Sequence, residues 1–162
     1  MTELALASGN PSAGAPALII GWCHQATITA TREHVSQALV QLNRQLIGLG
    51  LDRDALIRLE LVLAELLNNI VEHAYCDIGH GDIALEAAVH GNTIWCHLTD
   101  SGRPMPGGKL PPARRYDLDS LDMLDLPEGG FGWGLIRDLT SSLSYARCGA
   151  QNRLSFSIDL ED

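Results

Sequence analysis

The stretch from Glu60 to Tyr75 constrains this chain more than any other. Laid on a helix at 100° per residue, Val62, Leu63, Leu66, Leu67, Ile70, Val71 and Ala74 fill a broad apolar arc. Glu65, Asn68, Asn69 and Glu72 are left on a narrow stripe. A helix of this kind is submerged on most sides and shows one polar seam, so other elements must be layered around it. Glu65 and Asn69 stand one turn apart on that seam. A carboxylate and a carboxamide in that relation can divide one task. The amide oxygen ligates a hard cation such as Mg²⁺, and the carboxylate takes a proton from a nucleophile. The same pattern also fits a plain solvent-facing stripe on an amphipathic helix.

The chain has 162 residues, enough for one domain with its own core. The formal net charge of −9 argues against non-specific binding to nucleic acid or to anionic membrane, and leaves room for a basic protein partner. No apolar run reaches the length that crosses a bilayer. Glu3, with no basic residue before a short apolar patch, makes a poor secretory signal, so a cytoplasmic location is expected. Cys23, Cys76, Cys96 and Cys148 form no CxxC pair and no zinc-like spacing with histidine. They are expected to be free, buried thiols without disulfides.

Residues 1–16, rich in Ala, Ser, Gly and Pro, read as a mobile tail, and 17–162 as the folded domain. A strand is expected over Ala17–Thr29, bent at Gly21. Thr31 caps a helix to about Ile47, which Gly48 and Gly50 end. Asp52 caps the central helix, which runs through Tyr75. Strands Asp82–His90 and Thr93–Thr99 flank a Gly91-Asn92 turn, with Ile94, Cys96 and Leu98 on one face and Trp95 and His97 on the other. Residues 103–130, rich in Pro and Gly, read as a lid, with a short helix near Ser120–Leu124. A helix from Leu135 to about Ser142 and strands Leu143–Arg147 and Arg153–Leu160 complete the chain. That order favours an α+β, two-layer sandwich, with helices on one face of a mostly antiparallel sheet.

Two further features carry chemistry. Asp100 ends a strand and precedes Gly102. A carboxylate there can accept from an exocyclic amine, which distinguishes adenine from guanine, and a bare glycine lets a flat ring approach the backbone. Asp-Ser-Gly is also ordinary turn chemistry. Gly130, Gly132 and Gly134 alternate just before a helix, where bare amides and the positive helix end suit phosphates. A hinge into a packed helix fits them equally. They follow no strand, so a dinucleotide-binding crossover is excluded, and no Walker A motif is present.

Taken together, Glu-x-x-x-Asn on a helix, Asp-x-Gly after a hairpin strand and a glycine cluster before a later helix resemble the GHKL ATPase superfamily, which includes gyrase B, MutL and the histidine kinases. Ala64 to Tyr75 resembles the N box of the anti-sigma factor serine/threonine kinases. Asp100-Ser101-Gly102-Arg103-Pro104 and Gly130 to Arg137 resemble the two glycine boxes. The resemblance covers about residues 20–160 and implies the Bergerat fold with an ATP lid. It implies that Asn69 holds Mg²⁺ between the phosphates of ATP and that Glu65 is general base towards a partner's Ser or Thr. Asp100 would bind the adenine amine with Gly102 beside the ring, and Gly130, Gly132 and Gly134 would shape the lid end around the phosphates. His73 would border the nucleotide, or pack at the helix end.

The chain departs from the wider pattern at Pro104 and at Gln151-Asn152, where a Gly-Thr pair is usual, so an adenine-side contact is expected to be altered. In the lid, Lys109, Arg114 and Arg115 are candidate phosphate contacts or plain solvated charges. The segment before residue 17 has no room for a dimerisation and phosphoacceptor domain, which speaks against a complete histidine kinase. The resemblance implies a homodimer that phosphorylates a STAS-like anti-anti-sigma antagonist, with a sigma factor or other effector competing for the same protein. A non-catalytic ATP-binding module that sequesters a regulator, and a stand-alone histidine-kinase-like ATPase domain, are the alternatives.

Overall fold

A computed structural model describes residues 20–112 and 131–160. The tail 1–16, the strand start 17–19, the proposed helix near 120–124, Gly130, Arg114 and Arg115 lie outside the described residues. Strand β1 is Ile20–Thr29 and helix α1 is Arg32–Ile47, capped by the Thr31 hydroxyl accepting from His34 N–H. Helix α2 is Arg53–Asn69, capped by Asp52, whose carboxylate accepts from Ala55 N–H at 3.1 Å. Strands β2 (Asp82–His90) and β3 (Thr93–Asp100) form a hairpin through Gly91, at φ 59°. Helix α3 is Phe131–Leu139, and β4 (Ser142–Cys148) and β5 (Gln151–Asp159) form the second hairpin.

The five strands lie in the order β1-β2-β3-β5-β4, and every neighbouring pair is antiparallel. The alternation read from the sequence sets the layers. Ile83, Leu85, Ala87 and Val89 of β2, Ile94, Cys96 and Leu98 of β3, and Leu154, Phe156 and Ile158 of β5 are buried. They share one core cluster with Leu59, Val62, Leu63, Leu66 and Leu67 of α2 and Val35, Leu42 and Leu46 of α1. The opposite sheet face carries the alternate residues, including Trp95, 44% exposed. This is the expected α+β two-layer arrangement.

Three sequence expectations need correction. The central helix does not run unbroken through Tyr75: α-helical pairing stops at Asn69, and Ile70–Ala74 form a π-helical turn closed by Tyr75 N–H donating to Ile70 O at 3.2 Å. The wider turn leaves the Ala74 carbonyl to accept from Arg103 N–H at 2.8 Å, a bond outside the helix. The last helix starts at Phe131 and stops at Leu139, so Gly132 and Gly134 lie within it instead of preceding it. Finally, of the four free cysteines only Cys96 is buried, and burial pushes its thiol well above the usual range.

Candidate functional site

The polar seam of the central helix splits between two sides of the fold. Asn68 and Glu72 line a groove against α1, together with Arg32 and Ser36, and Glu72 accepts from Arg32 Nη2 at 2.7 Å. Asn69 points the other way. With His73, Asp100 and Asn152 it contributes polar groups to a cleft of about 460 Å³ whose other walls include Leu66, Ile70, Met105, Trp133, Tyr145 and Leu154. Size and mostly apolar walls with a few convergent polar groups are the general character of a small-molecule site.

Asp100 is the last residue of β3 and only 5% exposed. Its Oδ1 accepts from Gly102 N–H at 2.8 Å and from Asn152 Nδ2 at 2.7 Å. Both bonds fall on one oxygen, so the other retains acceptor capacity on a residue that lines the cleft. Burial raises the Asp100 carboxyl above its ordinary value. The Asn152 and Gly102 donors and the Arg147 charge pull the other way without cancelling the shift.

Gly102 is required by crowding, since its φ is not positive. A Cβ there would stand 2.6 Å from the Ala74 carbonyl oxygen. The bare residue lets the Asp-x-Gly loop lie on the end of the π turn. Tyr75 secures the same junction: its hydroxyl donates to Asp82 O at 3.0 Å and accepts from Ser101 N–H at 3.1 Å. Burial raises its phenol above the ordinary value, and the Asp100 and Asp82 charges add to that against the lowering effect of the Ser101 donor.

Glu65 sits one turn before Asn69, half-buried, with its carboxylate against the first turn of α3. A Cβ on Gly132 would lie 2.5 Å from Glu65 Oε2. Glu65 therefore adjoins the cleft at the Trp133 side and is not among the residues that wall it. Asn69 Nδ2 is buried without a hydrogen-bond partner among the described residues. His73 is exposed on the cleft, and Lys109 is exposed and not among the residues that line it.

In the sequence, Asn152 stands out only as a departure from a usual pair. It pairs directly with Asp100 across β3 and β5, and is 4% exposed. Its Oδ1 accepts from Tyr145 Oη at 2.7 Å and from Arg147 Nη1 at 2.8 Å, and its Nδ2 also donates to Arg103 O at 2.9 Å. Tyr145, Arg147 and Asn152 are site residues that no short motif announces. The signal available is register, since position 152 faces position 100 once the final hairpin is paired with β3.

The sequence model of the histidine kinase-like ATPase domain matches residues 28–158. No curated protein matches the chain. Among solved structures, the RsbU and RsbW domains of Rv1364c from Mycobacterium tuberculosis are similar with a TM-score of 0.60 at 18% identity, over 86% of this chain and 33% of that one. The histidine kinase domain of the blue-light activated histidine kinase EL346 from Erythrobacter litoralis gives a TM-score of 0.50 at 20% identity, over 80% of this chain and 60% of that one. The chain thus spans a third of the first and three fifths of the second. With the family's pattern running from β1 to β5 and the cleft where its central helix meets the end of β3, this chain belongs to the histidine kinase-like ATPase domain family.

Proposed function

We propose that the chain is an anti-sigma-factor-type serine/threonine protein kinase, which transfers the γ-phosphoryl group of ATP to a Ser or Thr of a STAS-like antagonist protein. The observation that carries this reading is the placing of Glu65. Its carboxylate lies one turn from Asn69 and against the first turn of α3, beside a cleft that Asn69 and Asp100 share. A nucleotide-holding module needs Asp100 and a cation-binding amide, but it has no use for a carboxylate at that point. The N-box-like stretch from Ala64 to Tyr75 and the fold shared with a chain that carries an RsbW domain support the same direction.

The residues present fit an adenine nucleotide and a divalent cation. Asp100 offers a spare acceptor on the wall of a largely apolar cleft, suited to an exocyclic amine. Asn69 is the residue that would hold Mg²⁺, through its Oδ1, and its Nδ2, buried without a hydrogen-bond partner among the described residues, is a donor left for a ligand oxygen. Magnesium, when bound, neutralises phosphate charge. The Gly132 amide, in the first turn of α3, suits the role of a phosphate donor, and Gly134 follows it in the same helix. His73 borders the same space.

In the transfer, the partner's hydroxyl oxygen bonds to the γ-phosphorus, its proton passes to Glu65, and the bond to the β–γ bridging oxygen breaks to release ADP. A sigma factor or another effector would compete with the unmodified antagonist for a homodimer of this chain, in the cytoplasm.

The test is to incubate the chain with Mg-ATP and a purified STAS-domain protein. Phosphoserine or phosphothreonine on that protein, lost in Glu65→Gln while ATP still binds, is the expected result. Nucleotide binding with no labelled partner would favour a sequestering module. Acid-labile phosphohistidine would favour a histidine-kinase-like ATPase domain.

A further inference from the structure

We propose that Asn152 is a positioning residue for base recognition: its amide, locked by Tyr145 and Arg147, holds a donor against Asp100 and so favours Asp100 as an acceptor for an amine-bearing base edge over a carbonyl-bearing one. This rests on the nucleotide reading of the cleft. The lock is visible in the bonds. Two donors, Tyr145 Oη at 2.7 Å and Arg147 Nη1 at 2.8 Å, converge on Asn152 Oδ1. A guanidinium cannot accept, so the amide cannot be flipped without setting Nδ2 against the Arg147 charge. Nδ2 must therefore face Asp100, to which it donates at 2.7 Å.

The consequence for chemistry lies in what Asp100 could otherwise become. A carboxyl only 5% exposed favours the neutral form, and a neutral carboxyl is a donor as well as an acceptor. A donor there would satisfy a ring carbonyl, the group guanine presents where adenine presents its amine. The Asn152 donor holds Asp100 towards the ionised, acceptor-only form. Other charged or titratable groups around Asp100 are Arg147 from β4, Tyr75 at the end of the π turn, Asp82 at the start of β2, and Arg103 and His73 on the cleft.

The same network grips residues 102–105. Asn152 Nδ2 donates to Arg103 O, Arg147 Nη1 to Gly102 O at 2.9 Å, and Met105 N–H to Tyr145 Oη at 3.0 Å. Asp100 and residues 102–105 are thus held by one set of side chains.

The experiment measures Kd for ADP and GDP by calorimetry with the full chain, between about pH 5 and pH 8, for wild type, Asn152→Leu and Asn152→Thr. Leucine keeps the shape and removes the donor, and threonine keeps a hydroxyl donor. Removing the donor raises the pH at which Asp100 takes up its proton. Asn152→Leu should lose about tenfold or more in ADP affinity at the acid end, lose less at the alkaline end, and narrow the preference for ADP over GDP. Asn152→Thr should fall between the two. A loss that is uniform in pH with the preference intact would reduce Asn152 to a structural residue, and unchanged affinities would also overturn the proposal. If Asn152→Leu fails to fold, an unmoved pH profile in Asn152→Thr overturns it instead. A wild-type chain that binds neither nucleotide refutes the reading of the cleft itself, which is a different result from wild-type binding with an unmoved profile.

Discussion

Gly102→Ala should damage the fold at the point where the Asp-x-Gly loop meets the central helix. The added Cβ would stand 2.6 Å from Ala74 O, 2.7 Å from Ala74 Cβ and 2.9 Å from Ala74 C. None of these is the free end of a side chain. Ala74 is held in the π turn, whose closing bond is Tyr75 N–H to Ile70 O. The loop must lift, straining Arg103 N–H to Ala74 O at 2.8 Å and Ser101 N–H to Tyr75 Oη at 3.1 Å. Overpacking of this kind costs about 1–3 kcal/mol, and each bond lost adds about 1 kcal/mol. A destabilisation of about 3 kcal/mol is therefore expected, read as a lower midpoint at unchanged slope in urea unfolding followed by circular dichroism. A variant within about 0.5 kcal/mol of wild type would refute the argument that this glycine is fixed by crowding.

Gly132→Ala separates crowding against backbone from crowding against a side-chain tip. Its Cβ would meet Glu65 Oε2 at 2.5 Å, a group that can swing away. Stability should hold or rise by up to about 1 kcal/mol through helix propensity, while phosphoryl transfer falls about 100-fold because the proposed base is displaced. Wild-type turnover would contradict it. Tyr75→Phe removes the hydroxyl that bridges Asp82 O and Ser101 N–H, and should cost about 1–2 kcal/mol in the same unfolding assay. Asp100→Asn should fold and be at least as stable as wild type at neutral pH, since an amide oxygen still accepts from Gly102 and Asn152. The sign follows from linkage. The folded chain holds the Asp100 proton more tightly than the unfolded chain, whose ordinary value is 3.8, so wild type loses stability as pH rises from there through the folded value. The amide variant has no such dependence, and thermal melts of the two proteins across that window should diverge with rising pH; parallel curves would contradict it.

The fold was largely legible because its signals are local. Thr31 and Asp52 cap as their side chains dictate, and the alternation in β2 and β3 separates Ile94, Cys96 and Leu98 from Trp95 and His97 as a half-buried sheet requires. The π turn was not legible: Asn69 before it and Ile70 at its start keep helical backbone angles, and the one-residue change of pairing leaves no mark in the apolar pattern of Ile70, Val71 and Ala74. The start of α3 was misplaced because Gly132 and Gly134 carry low helix propensity. The close approach of Glu65 to Gly132 is a tertiary contact that leaves no mark in the local sequence. Within the site, Asn69 and Asp100 could be proposed from spacing, and they do share a cleft. The polar seam looked like one surface in projection, but packing of α1 on one side and α3 on the other divides it. Asn152, Tyr145 and Arg147 were hidden because their meaning depends on strand register, which pairs position 152 with position 100 over long sequence separation.

The most direct test of the account is calorimetric titration of ADP into the wild-type chain and into Asp100→Asn, both in magnesium. One saturable site per chain is expected for wild type, with affinity reduced about 30-fold or more when the acceptor facing the base becomes a donor, at about 2 kcal/mol for a mismatched buried pair. Equal binding by the two proteins, or none by wild type, would contradict the assignment of this cleft to an adenine nucleotide.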